Sequence, residues 1–372
     1  MPEVTDEHVA RATWSRLAEP GDVMTQVVLR TVGTVESLEW LRTASDVPPA
    51  LIERVERWRQ RLELVDISRE LKVARHVGAH IVIPGDPEWP TALDDLGDEA
   101  PVALWVRGEI PPLDRAVALV GARAATRYGE RVAADFAVGS IDRGIAVVSG
   151  GAYGIDAAAH RGALSGECAD GATVAVLAGG VDRLYPAGNE TLLHRIIQTG
   201  AVISELPPAA APTRHRFLAR NRLIAAMANA TVVVEASFRS GARSTANHAS
   251  RLLRPVGAVP GPVTSAQSAG CHAMMREGQA TPVTTPDELA ELIDSAGATP
   301  IAEPLVASGP LDDLPEDQAR VFDALPARAA ATIPSIASAA GLTESEVRGA
   351  LGLLELAGKV RRSEHRWGRV RP

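Results

Sequence analysis

The sequence predicts an α/β protein: a doubly wound, mostly parallel sheet, preceded by a helical segment and followed by a small unit of helices and a hairpin. Three observations carry this. Short, continuously apolar runs alternate with helical stretches from residue 116 to about 260, as strands covered on both faces require. Several of these runs end in Gly-, Ser- or Arg-rich turns that open a helix. At 372 residues the chain is also long enough for two or three domains.

Taken in order, residues 1–79 read as helices, with candidates at 5–18, 23–31, 36–43 and 49–77. The last carries Leu51, Val55, Trp58, Leu62 and Val65 at helical spacing, opens after Pro48-Pro49 and stops at Gly78. Such a bundle serves packing, a partner or DNA contact, and its sequence leaves these open. Segments 80–83 and 103–106 read as strands flanking the turn-rich stretch 84–90. Within an α/β region of 80–296 the strands are 117–120, 145–149, 173–178, 201–204, 231–235 and 256–259. Residues 297–314, rich in Gly, Ala, Pro, Ser and acids, read as a linker. Residues 315–372 hold helix candidates at 316–325, 333–340 and 344–357, the third capped by Thr343, and a hairpin within 359–370. Three helices and a hairpin suggest a winged helix-turn-helix. Its third helix offers Arg348 against Glu344, Glu346 and Glu355, poor material for reading a major groove.

Hydrophobic residues make up 46% and charged residues 23%, which excludes a disordered chain. Cys168 and Cys271 form no C-x-x-C, so neither a zinc ribbon nor a redox pair is expected, and reduced thiols in a cytoplasm fit. The acidic N-terminus lacks an apolar run, so no signal peptide is expected, and no apolar run is long enough to span a bilayer. The net charge of −8 argues against nucleic acid until its distribution is considered. Residues 286–317 carry nine acids and no Lys or Arg, while 206–262 carry eight arginines against one acid, Glu235. Local field, not total charge, decides whether phosphate is attracted. A plain solvated basic face is the alternative.

Free amides and the positive end of a helix favour anions at the carboxyl edge of a parallel sheet. Four stretches are candidates. In Gly121-Ala122-Arg123 the glycine permits close backbone approach and the guanidinium can grip phosphate in a fork, with Thr126 capping the next helix. An ordinary turn with a surface arginine fits equally well. Ser149-Gly150-Gly151-Ala152-Tyr153-Gly154-Ile155-Asp156 departs from a dinucleotide fingerprint at its first position and suits a phosphate cradle better than a nicotinamide. Asp156 and His160, four apart, form either a catalytic pair or, more in keeping with their type, a structural one. Arg214-His215-Arg216-Phe217 and Arg220-Asn221-Arg222 interleave cations with a ring, which suits single-stranded nucleic acid. Alternatively Phe217 is core and Arg220 or Arg222 pairs with Glu205 or Glu235. Arg239, Ser240, Gly241 and Arg243 enter a further helix and offer either another phosphate site or a plain cap. The sequence contains no G-x-x-x-x-G-K-[ST], H-E-x-x-H or G-x-S-x-G, and no metal cluster is evident among its nine histidines.

Seven segments in this order, VGARAATRYG, SGGAYGIDAAAH, AVLAGGVDRLYPAGN, SELPP, FLARNRLIAAMA, VVVEASFRSGARSTA and AVPG, closely resemble the DprA/Smf family of bacterial DNA-processing proteins. The resemblance covers about residues 80–280, and the flanking units match the family's three-part layout, with a helical (SAM/HhH-like) domain in front. It implies an extended Rossmann-type domain that binds single-stranded DNA, forms a homodimer through that domain and loads the RecA recombinase onto incoming DNA in natural transformation. It implies no catalysis and no cofactor. Carried over by position, the DNA groove uses Arg123, the Ser149-Gly150-Gly151 loop, Arg214 and Phe217, flanked by Arg220-Asn221-Arg222 and Ser240-Gly241. The family's usual Gly-Ser-Arg is Gly121-Ala122-Arg123 here, and its commoner Ser-Gly-Ser-Leu is Ser240-Gly241-Ala242-Arg243, which removes a hydroxyl and adds a charge. The competing readings are a nucleotide N-glycosidase on a similar scaffold, whose P-G-G-x-G-T-x-x-E pattern is absent, and a nucleotide sensor.

Overall fold

The computed structural model describes residues 4–166, 173–238, 240–294, 314–326 and 329–370. It divides into two compact units, Met1–Pro300 and Ile301–Pro372.

The first unit opens with α1 (Asp6–Leu17), α2 (Val23–Val32), α3 (Glu36–Thr43), α4 (Ile52–Leu62) and α5 (Ile67–His76). The single helix expected over 49–77 is thus two helices after a short turn at Pro49–Leu51. Asp66 makes the break: its carboxylate accepts the Arg69 amide at 3.0 Å and caps a new helix, while Leu64 turns out to solvent at 86% exposure. The break lets α4 bury Val55 and Trp58 in the helical core beside Trp14, while Ala74 of α5 joins the core under the sheet. Trp105 ties the two regions together by donating its indole N–H to Ser15 Oγ at 3.2 Å.

The strands are β1 (Ala79–Val82), β2 (Leu104–Gly108), β3 (Ala116–Gly121), β4 (Ala146–Ser149), β5 (Thr173–Val176), β6 (Ala201–Ser204), β7 (Ala230–Glu235), β8 (Val256–Ala258) and β9 (Thr281–Pro282). They form one sheet in the order β1-β2-β6-β5-β4-β3-β7-β8-β9. β3 to β9 are parallel, and β1 and β2 add antiparallel at the β6 edge. Helices α6 (Arg127–Ile141), α7 (Ile155–Ala163), α8 (Glu190–Thr199), α9 (Arg214–Ala226), α10 (Ala242–Arg251), α11 (Ala269–Arg276) and α12 (Pro286–Ile293) complete the unit. Phe136 of α6, Ile155 of α7 and Leu289 of α12 share one core cluster, and Leu223 of α9, Ala246 of α10 and Met274 of α11 share another. Alternation of polar and apolar residues is absent from β3: Val117 and Leu119 join the first cluster while Ala118 and Val120 join the second, so both faces are apolar. Strand order reverses around β3, which pairs β4 on one side and β7 on the other. That is the switch point at which ligands of open α/β sheets bind.

The second unit has α13 (Glu316–Ala324), α14 (Ile333–Ala340), α15 (Glu344–Leu356) and a hairpin of β10 (Val360–Ser363) and β11 (Arg366–Arg369). Thr343 caps α15 as expected, accepting the Glu346 amide while the Glu346 carboxylate accepts the Thr343 amide at 2.7 Å. The linker expected at 297–314 lies outside the described residues apart from Leu314. Among the described residues no helix is long and apolar enough to cross a membrane.

Candidate nucleic-acid interface

The carboxyl end of β3 is fixed by contacts that admit no side chain. A Cβ on Gly121 would lie 2.5 Å from Ile155 Cγ1 and 2.9 Å from the Glu235 carbonyl. Gly154, at φ +75°, would set a Cβ 2.2 Å from the Ala122 carbonyl oxygen and 2.6 Å from that of Arg123. The Ala122 amide donates to the Glu235 carbonyl at 2.7 Å, and the Ile155 amide to the Ala122 carbonyl at 3.2 Å. Turns after β3, β4 and β7 are therefore locked to one another. Thr126 serves this frame: its amide (2.9 Å) and hydroxyl (2.6 Å) donate to the Glu235 carboxylate, and its oxygen accepts the Gly129 amide to cap α6. Glu235, weighed as a partner for an arginine, is thus taken by Thr126.

A groove of about 610 Å³ lies over this junction. It brings together Gly121, Arg123, Arg214, Phe217, Arg220, Asn221, Ser240 and Gly241 from the sequence-expected set. The starts of α9 and α10 border it; Thr213 accepts the Arg216 amide, and Ser240 Oγ accepts the Ala242 amide at 3.2 Å. Arg123 is exposed and stacks on Phe217, its Cζ 4.3 Å from the ring centroid. Arg214 is exposed at the first turn of α9.

Other expected residues support the groove without lining it. Ser149 is fully buried and its hydroxyl donates to the Leu119 carbonyl at 2.6 Å. The Gly150 and Gly151 carbonyls accept from Arg220 (2.8 Å) and Asn189 (3.0 Å). Arg222 is buried in a bidentate pair with Glu205, at 2.6 and 2.7 Å, and is the structural arginine of its stretch. Arg243 turns away to the Phe238 carbonyl and the Glu277 carboxylate. Arg239 lies outside the described residues.

The floor carries two buried ionisable groups, Asp156 and Arg220. Burial pushes the Asp156 carboxyl up, opposed by Arg220, and pushes the Arg220 guanidinium down to about 10, opposed by Asp156. Asp156 accepts from the Ala152 amide at 3.4 Å, and Asn221 donates to the Gly241 carbonyl at 3.3 Å. Asp156 and His160 do not act as a pair: His160 bonds Thr173 Oγ1 at 2.8 Å, and burial holds its imidazole down to about 3. Since the Thr173 hydroxyl donates to the Val147 carbonyl, His160 Nδ1 carries the proton it gives to Thr173. Sequence reasoning missed Tyr185 and Ser244, which also line the groove. The signal for Tyr185 was its rarity, as the chain has only three tyrosines.

Comparison with known proteins fits this geometry. The model of the DNA recombination-mediator protein A family matches residues 80–294, and that of the DprA winged helix domain matches 306–364. A Mycobacterium tuberculosis protein bearing the DprA name is 46% identical over 373 residues, covering 96% of this chain and 93% of its own. The X-ray structure of DNA processing protein A from Streptococcus pneumoniae superposes with a TM-score of 0.61 at 28% identity, covering 77% of this chain and 98% of that one. DNA processing protein A from Helicobacter pylori, whose structure is described in terms of its single-stranded DNA binding mode, gives a TM-score of 0.52 at 28% identity over 58% of this chain and 95% of its own.

Proposed function

The chain belongs to the DNA recombination-mediator protein A (DprA/Smf) family of DNA processing proteins, and from that premise we propose that its groove binds single-stranded DNA without cleaving it. One observation carries the reading: two exposed arginines, an aromatic wall and two helix starts converge at the switch point of the sheet. Cations beside rings suit a single strand, whose phosphates and unpaired bases are both open, better than a duplex, whose bases are stacked inside. Arg123 and Arg214 take phosphates, and the ring pair at Phe217 meets a base. The buried Arg222–Glu205 pair and the half-buried Thr126–Glu235 bonds hold the frame rigid, so little order remains to be imposed on binding. The protein then loads RecA onto incoming single strands, acting as a homodimer in the cytoplasm during natural transformation.

Anisotropy titrations with oligo-dT and with duplex, between about 50 and 200 mM salt, test this. Single strands should bind more tightly, with affinity falling as salt rises. Arg123→Ala and Arg214→Ala should weaken all sequences alike, each lowering the salt slope by about 0.7. Preference for duplex, or unchanged affinity in Arg123→Ala, Arg214→Ala and Phe217→Ala, would remove the assignment. RecA loading is read separately, as a shorter lag in RecA filament growth on DNA coated with a single-strand-binding protein.

A further inference from the structure

The helical bundle as a whole is acidic: residues 1–79 hold thirteen Asp and Glu against eleven Lys and Arg. Against that background α4 sets Arg54, Arg57 and Arg61 at i, i+3 and i+7, on one face of the helix. They line a cleft of about 360 Å³ whose other walls are the 19–22 turn and His215 of α9. The cleft and the groove share the first turn of α9, where Arg214 lines the groove and His215 the cleft. Contacts fix the one relative to the other. Arg216 of α9 donates to the Glu19 carboxylate at 3.1 and 3.2 Å, and a Cβ on Gly21 would lie 3.5 Å from Nε of Arg222, the arginine that frames the groove.

The acids of the cleft are already engaged. Glu19 accepts from Arg61 at 3.1 Å as well as from Arg216; burial pushes its carboxyl up, but the two guanidinia outweigh burial and hold it below its ordinary value. Asp22 accepts from Arg54 and caps α2 by accepting the Met24 amide at 3.2 Å. Four arginines thus answer two carboxylates. Arg57 is the surplus: it is exposed, its Nε donates to the Glu53 carbonyl at 3.3 Å, and it makes no ion pair among the described residues. Trp58, buried edge to face against Trp14 at 5.1 Å, gives the cleft an apolar back wall, which concentrates the field of the cations in front of it.

We propose that this cleft is a second phosphate site, at which a strand leaving the groove past Arg214 continues over the first turn of α9 onto the helical bundle. This rests on the single-strand reading above and extends it to a part of the chain that reading does not use. Residues 214 and 215 have α-carbons about 3.8 Å apart, so a strand passes from one cationic wall to the next with no uncontacted gap. Arg57 takes the phosphate, and His215 stands opposite it across the cleft. Because Trp58 is buried, the cleft offers charge and no open ring, so it holds backbone and leaves the bases in water.

Anisotropy titrations of the full chain with oligo-dT of graded length, from about 6 to about 30 nucleotides, test this. Arg57 is exposed, so its variants keep the fold. The shortest oligomers fill only the groove, and Arg57→Ala should bind them as the wild type does. Beyond the length at which a strand reaches the cleft, Arg57→Ala should bind about fivefold more weakly, the upper range for one exposed ion pair, and its salt slope should fall by about 0.7. Arg57→Lys should restore both, and Arg57→Glu should lose more than Arg57→Ala at the same lengths. Arg57→Ala with wild-type affinity at every length, or with the same loss at every length, would overturn the proposal, while short oligomers that still needed Arg123 left the single-strand reading standing. A wild-type chain that bound no oligo-dT would overturn both.

Discussion

The two units combine fold and surface in opposite ways. The winged-helix unit has the architecture that commonly reads DNA, yet its third helix is poorly dressed for it. α15 exposes Leu353 and Leu356, bears Glu344, Glu346 and Glu355, and its one arginine, Arg348, faces Glu344 at 3.8 Å. The sheet unit has an architecture best known for nucleotides, yet its switch point gathers exposed Arg123 and Arg214 with Phe217 and Tyr185. Architecture says where a ligand can sit; the side chains at that place decide whether one does. The hairpin of the second unit carries exposed Arg361, Arg362 and Arg366, where contact would be with phosphate and not with base edges.

Four experiments break or sharpen this contrast. The largest effect belongs to the frame under the groove. Glu205→Ala leaves Arg222 charged and buried without its partner, which should cost the first unit about 3–5 kcal/mol. Calorimetry should then show that unit's transition lowered and that of the winged-helix unit unmoved; a common shift would mean that the two do not melt separately. Next, Arg123→Ala combined with Arg214→Ala should lower oligo-dT affinity on the order of 100-fold, at about 1.5 kcal/mol for each charged contact. A similar loss on removing residues beyond 296 would reverse the contrast.

The third concerns acid. His160 binds its proton with a pKa of about 3 in the fold against an ordinary 6.5, so the unfolded chain takes up the proton first. Its contribution to stability is whole above pH 6.5 and is lost as pH falls toward 3, by about 2 kcal/mol at pH 5. Urea titrations at pH 7 and pH 5 should show this fall in the first unit, and a smaller one in His160→Gln; an equal fall in both would assign the acid sensitivity elsewhere. The smallest effect is expected from Arg361→Ala with Arg362→Ala, under about twofold on single-strand affinity at 0.15 M salt, where exposed charges are screened. A larger change would bring the hairpin into the interface.

The sheet was legible because a parallel strand buried on both faces writes a continuous apolar run. Thus β6 at Ala201–Ser204 has the expected bounds, and β3 and β7 differ from theirs by a residue or two. β9 was not legible, since a two-residue edge strand containing Pro282 leaves no pattern. Nor was the break before α5, because Asp66 stands in a stretch where charge is ordinary and only its bond to the Arg69 amide marks a cap. Within the site, residue type identified Arg123, Arg214 and Phe217 but could not say which way a side chain points. Ser149 and Arg222 share motifs with groove residues and yet turn inward, one to Leu119 and the other to a glutamate 17 positions away. Tyr185 escaped because its loop reads as a turn and its contact with Phe217, 32 positions away on α9, is invisible in one dimension.

The bare α-carbon of Gly154 has a consequence for anyone re-engineering this surface. With the Ala122 and Arg123 carbonyls packed where its first side-chain atom would go, the stretches 121–126 and 150–156 behave as a single heritable block. A library that randomised one stretch while keeping the other would mostly sample displaced Arg123 backbones. Altered ligand preference should therefore emerge from co-varied pairs across the two turns, or from groove positions on α9 such as Arg214 and Leu218, away from the bonds that Arg220 and Asn189 make to the Gly150, Gly151 and Ala152 carbonyls.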